Sequence, residues 1–243
     1  MHGLPAAILV LTLCCASGSA RTAMSLDPFS NPDLAPLAVA VMRGDTLEIR
    51  RHAERIHPDT PGTDGATLLV AAIGANQADS VHALLELGAD PNRPGGGGET
   101  PVHAAAFAAN PALLRAVLEH GGNPCLANAH TGSTPLMQAI LGQNPEQIAI
   151  LLDAGADPRA TDFKHDTALH IAGRTNAGAT ILLLLERGAN PLAKNAGGAT
   201  FQDYYFAFNR RVLSDRAKAE RRQIVAWLKA HDIPLGALVQ AVD

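Results

Sequence analysis

The chain has 243 residues, a formal charge of −4, 47% hydrophobic residues and 4% aromatics. The mild acidic balance argues against a free-standing nucleic-acid binder, and the shortage of aromatics argues against a core built on a few large anchors. Fifteen arginines against four lysines, with abundant alanine, is the composition of a GC-rich bacterial genome.

Residues 1–20 differ from the rest of the chain. AAILVLTL (6–13) is apolar, uncharged and too short to span a bilayer, and Gly18-Ser19-Ala20 fits a small-x-small cleavage pattern. The segment reads as a secretory signal peptide, which places the mature chain in the periplasm, although the n-region MHGLP carries no Lys or Arg. Cys14 and Cys15 raise a lipoprotein alternative, which Leu13 disfavours because a small residue is expected before the lipidated cysteine. Residues 21–33 read as a linker. With 1–20 removed, Cys125 is the one remaining cysteine, so stability must come from packing and not from an internal disulfide. No basic neighbour in sequence would activate its thiol.

From residue 34 a period sets in. Thr67, Thr100, Thr134, Thr167 and Thr200 recur at intervals of 33 or 34, and Gly88, Gly121, Gly155 and Gly188 keep step, as do Pro91, Pro124, Pro158 and Pro191. A period this long marks a stack of supersecondary units. In the stretch 133–165, Thr134 suits an N-cap and Pro135 the first helical position. Leu136, Ala139 and Ile140 form one apolar stripe, and Gly142–Pro145 breaks that helix. Ile148, Leu151 and Leu152 line a second helix, which Gly155 ends in a left-handed turn. Asp157 and Pro158 then carry the chain onward. The recurrent string LLDAGADP (151–158) is therefore a helix end and not an active site. The period divides the chain into six units: 34–65, 66–98, 99–132, 133–165, 166–198 and 199–234, with 235–243 as a C-terminal tail. The first lacks the terminal Gly-Ala-Asp. The last reaches its apolar pair, Trp227-Leu228, about ten residues late, with the extra material in 206–220. Atypical ends suit units with one face in water.

On ETPVHAAA (99–106), STPLMQAI (133–140) and DTALHIAG (166–173), each followed by the Gly-Ala/Gly-Asp/Asn-Pro string, the sequence resembles the ankyrin-repeat family over about 34–234. The resemblance implies an all-α solenoid of paired antiparallel helices with projecting hairpin loops. His103 and His170 match the histidine of the family's Thr-Pro-Leu-His motif, where the ring bonds loop backbone. The family binds proteins through its loop tips and the inner surface of each first helix. Carried onto this sequence by distance from the repeat threonines, that nominates Phe107, His130, Thr131, Leu141, Phe163, Lys164, Arg174, Thr175, Lys194 and Phe208 as partner-binding.

Other chemistry has little support. His82, His120 and His130 are scattered, and no HExxH or CxxC pairing suggests a metal site. Gly95–Gly98 lacks the Gly-Lys-Ser/Thr ending of a phosphate loop and reads as a flexible hairpin extension. No nucleophile–base constellation stands out. Leu213, Ala217, Ile224 and Leu228 recur at helical spacing with Arg216, Lys218, Arg221 and Arg222 around them. This reads as a capping helix with a solvated basic face, able to make weak contact with anionic lipid or an acidic partner. The expectation is an exported, monomeric, non-enzymatic module without catalytic residues, cofactor or metal, holding one protein partner. Exported bacterial members of the family suggest an immunity protein blocking a secreted toxin such as a phospholipase. The alternative they suggest is an accessory protein of a periplasmic enzyme such as catalase. A metal- or haem-handling protein or enzyme using the loop histidines is the rival from another class.

Overall fold

The threonines, prolines and glycines that set the period each do a local job, and the helices result from them. The structure, a computed structural model, describes residues 27–208 and 213–240. The predicted signal peptide with Cys14 and Cys15, residues 21–26 of the predicted linker, 209–212 of the late-repeat insertion and 241–243 lie outside the described residues.

Six helix pairs succeed one another. They are α1 (Ala35–Arg43) with α2 (Thr46–Ala53), α3 (Leu68–Gly74) with α4 (Ala78–Glu86), and α5 (Pro101–Phe107) with α6 (Pro111–Glu119). Then come α7 (Pro135–Leu141) with α8 (Pro145–Asp153), α9 (Ala168–Arg174) with α10 (Gly178–Glu186), and α11 (Phe201–Tyr205) with α12 (Asp215–Ala230), before the short α13 (Ala237–Gln240). The first helices of successive pairs pack in one row, α1 to α11, and second helices pack in a row behind them. Among the described residues there is no strand; Thr161 and Thr167 form an isolated β-bridge. The chain is an all-α solenoid.

Each unit starts at its threonine. The hydroxyls of Thr67, Thr100 and Thr134 accept the backbone N–H three residues on, at 3.3–3.4 Å, satisfying a donor the helix leaves orphaned. In the four middle units the second helix ends at a glycine. Gly155 has φ +90°, and its N–H donates to the Leu152 carbonyl at 3.2 Å while that of Ala156 donates to Leu151 at 2.9 Å. This is the Schellman closure, in which a left-handed residue without a Cβ costs nothing. Gly88, Gly121 and Gly188 repeat it. Asp157 then accepts the Arg159 N–H at 2.8 Å, fixing the turn around Pro158; Asp90, Asn123 and Asn190 do the same in their units.

Packing corrects one expectation. In two of the units the two apolar residues before the glycine are not equivalent. Leu84, Val117, Leu151 and Leu184, the first of each pair, are fully buried, whereas Leu118 and Leu152 are only half-buried. Leu85 and Leu185, the second residues in the other two units, are buried as well, so the difference belongs to units 99–132 and 133–165.

Both ends are sealed. Phe29 and Leu34 are buried against the first unit, and Thr63 Oγ1 donates to the Pro28 carbonyl at 3.1 Å. In the last unit the Schellman closure recurs with Asp232 (φ +53°) where the four middle units have glycine, and the Ile233 N–H donates to the Leu228 carbonyl at 2.9 Å. Residues 235–240 fold back over α11: the Gln202 amide bonds the Pro234 carbonyl and the Gly236 N–H, and Val239 is buried. The Gly95–Gly98 stretch is a closed hairpin, with the Gly95 N–H on the Glu99 carbonyl at 2.8 Å. It is also packed: a Cβ on Gly96 would overlap the Asp64 carbonyl.

Candidate functional site

Register along the stack brings the nominated residues into two rows. Phe107, Leu141 and Arg174 are the last residues of α5, α7 and α9, each seven after its threonine. Phe107 is 57% and Leu141 48% exposed, so two large apolar side chains on adjacent units face water side by side. The second row is the loop tips. His130 and Thr131 stand four and three residues before Thr134, and Phe163 and Lys164 hold the same places before Thr167. All four are exposed, Phe163 at 66%.

The tips are stitched together by backbone bonds. The Phe163 N–H donates to the Thr131 carbonyl at 3.0 Å, and the Ala196 N–H to the Lys164 carbonyl at 2.9 Å. Asn128 Nδ2 reaches the Gly97 carbonyl at 3.0 Å. The Phe163 ring lies against Gly132 of the preceding loop on one side and meets water on the other. Tips held this way present their side chains with little entropy left to lose on binding.

Other nominated residues sit elsewhere. Lys194 is exposed but three positions earlier in its loop than Lys164, in register with Thr161, so it lies outside the tip row. Thr175 spends its hydroxyl on the Ile171 and Ala172 carbonyls, at 3.1 and 3.3 Å, and presents little to a partner. Phe208 lies beyond the end of α11 and is 38% exposed, one position past the Phe107 register.

Arg174 is engaged within the chain. It pairs with Asp166 at 2.9 Å and lies 5.2 Å from the centre of the Tyr204 ring. Tyr204 Oη accepts from Asn195 Nδ2 at 2.9 Å, and the same amide donates to Asp166 at 2.9 Å. Burial by itself would raise the Asp166 carboxyl, but the hydrogen bonds from Arg174 and Asn195 outweigh it and hold the group below its ordinary value. Tyr204, four residues after Thr200, is absent from the residues that sequence nominates. The offset that also holds Ala104 and Gln138 marks it as part of the same helical face.

The basic face expected on α12 is largely spent. Arg221 is buried and donates to the Tyr205 carbonyl at 2.7 Å and the Phe208 carbonyl at 3.1 Å. Arg216 pairs with Glu220 at 2.8 Å and Lys218 with Asp215 at 3.1 Å. Arg221 therefore caps α11 and cannot greet a lipid surface. A cavity of about 350 Å³ lies between Ile148 on α8, Gly178 at the start of α10 and Ala217 on α12; its charged lining is the Arg216–Glu220 pair. Among the described residues no three His, Cys, Asp or Glu side chains are placed to hold a metal, and no helix is long and apolar enough to cross a membrane.

Residues 102–195 match a family model described as ankyrin repeats in three copies, and residues 68–118 match one described as ankyrin repeats in many copies. Protein PhlB of Serratia liquefaciens is 40% identical over 151 residues, covering 62% of this chain and 66% of PhlB. SH3 and multiple ankyrin repeat domains protein 2 of Homo sapiens is 31% identical over 212 residues, 84% of this chain but 11% of that protein. E3 ubiquitin-protein ligase KEG of Arabidopsis thaliana is 29% identical over 201 residues, 75% of this chain and 12% of that protein. The chain thus spans just under two thirds of PhlB and about a tenth of the other two.

Proposed function

The chain belongs to the ankyrin-repeat family, and from that premise we propose that it is an exported, monomeric, non-enzymatic module that holds one partner protein on the face carrying Phe107, Leu141, Phe163 and Lys164. Ankyrin repeats mediate protein–protein interaction. The observation that carries the reading here is the pair Phe107 and Leu141, on consecutive units and about half exposed. Neighbouring apolar side chains left in water on a rigid scaffold are the mark of a contact surface. Export rests on the apolar run 6–13 and the small residues after it, and places the chain in the periplasm.

The finer reading is an immunity protein. The stacked units hold the face rigidly enough to cover an enzyme's cleft, so a secreted toxin such as a phospholipase is blocked sterically.

The test starts from the neighbouring gene: where it encodes a secreted phospholipase, the mature chain is titrated into that enzyme. Turnover falls to near zero at one equivalent, and the variant Phe107→Asp/Leu141→Asp, with its melting temperature unchanged, leaves turnover intact. No inhibition at any ratio overturns the immunity reading. Co-purification with a periplasmic catalase, lost in the same variant, would install the accessory role in its place.

A further inference from the structure

The repeat register allows one unit to be compared with another, place by place. In unit 166–198, Asp166 stands one residue before the threonine and Arg174 seven after it, and Tyr204 stands four after the threonine of the following unit. The three side chains meet. The Arg174 guanidinium pairs with Asp166 at 2.9 Å and lies 5.2 Å from the centre of the Tyr204 ring. In unit 99–132 the same three places hold Glu99, Phe107 and, from the following unit, Gln138. A carboxylate and an aromatic ring are again present, but the place of the guanidinium is taken by the ring itself.

Glu99 and Phe107 are both exposed. The Glu99 carboxylate accepts from Gln138 Nε2 at 3.5 Å, the long limit of such a bond, and among the described residues it forms no ion pair. Ala104, one turn before Phe107 on α5, keeps the surface between them low. Side chains on a helix lean towards its N-terminus, which carries the Phe107 ring towards Glu99. The wider face has one sign of charge. From four residues before each threonine to eight after it, units 66–98, 99–132 and 133–165 contain Asp64 and Glu99 and no lysine or arginine.

Building on the contact face proposed above, we propose that the partner protein lays an arginine side chain here, its guanidinium on the Glu99 carboxylate and against the Phe107 ring, with an apolar neighbour on Leu141. The partner thus supplies in trans what Arg174 supplies within the chain. A guanidinium suits the place better than an ammonium. Its planar fork matches a carboxylate, and its face stacks on a ring. Arginine is also among the residues that most often anchor an interface.

The probes are the peptide acetyl-Leu-Arg-Leu-amide and its citrulline and lysine counterparts, titrated at low salt into the nitrogen-15-labelled mature chain. Citrulline keeps the shape of arginine and loses the charge. The arginine peptide should shift the amides of Phe107 and Leu141 and the side-chain amide of Gln138, with a Kd about two- to fivefold below that of the citrulline peptide. Glu99→Gln, an exposed change that leaves the fold intact, should abolish that preference. Asp79→Asn, at an exposed carboxylate on α4, should leave it unchanged. Equal Kd values for the arginine and citrulline peptides, or a preference that survives Glu99→Gln, overturn the proposal while the contact face stands. A lysine peptide that binds as tightly as the arginine peptide overturns the assignment to arginine. If no peptide shifts Phe107 or Leu141, both the proposal and the contact face fall.

Discussion

Leu151→Ala will lower the stability of the chain by about 2–5 kcal/mol, the range for removing a fully buried leucine without collapse of the cavity. Leu151 is 0% exposed and sits in the layer between units, so both neighbouring interfaces lose contacts. Leu152→Ala, one residue later, will cost distinctly less, because Leu152 is half-buried at the outer edge. Urea denaturation of the two variants reads the difference directly. Equal losses would mean that the layers do not pack on the first residue of each pair.

Arg221→Met will cost on the order of 3 kcal/mol, and the loss will stay in the last unit. The guanidinium bonds two carbonyls at the end of α11 and lies 5.3 and 5.5 Å from the centres of the Tyr205 and Phe206 rings. Methionine fills similar space but leaves those buried acceptors without their donor, the costly case. The site is dry enough that burial, with the Glu220 carboxylate adding to it, pushes the Tyr205 phenol up to about 12. Arg222→Met, on the exposed side of the same helix, will change stability by no more than about 0.5 kcal/mol. Limited proteolysis should show faster cutting between 206 and 214 in the first variant only. Equal behaviour of the two would return Arg221 to the solvated face that helical spacing alone suggests.

The contrast between these two arginines shows what the sequence could and could not carry. Each unit's threonine, proline and glycine act on backbone within a few residues of themselves. Caps, helix ends and turns are therefore legible from spacing, and with them the stack. Contacts between units depend on which side chain stands opposite, and that is set by register. Legibility fails where the register slips: the late-repeat insertion moves Arg221 from a surface stripe to a position under α11. Arg174 likewise occupies the place of Phe107 and Leu141, yet Tyr204 and Asp166 claim it, because a tyrosine and a neighbouring carboxylate face it from unit six and its own loop. Lys194, six residues before Thr200 where Lys164 is three before Thr167, is out of the tip register by the repeat count alone. The row Phe107–Leu141 is legible because it needs nothing but the repeat count.

The most direct test of a stack that grips another macromolecule is an amide-exchange footprint of the mature chain with and without its purified partner. Protection confined to the C-terminal ends of α5 and α7 and to the loop tips at 130–131 and 163–164 is the expected result. Protection along α4, α6 and α8 on the rear row, with those ends and tips unchanged, would contradict it.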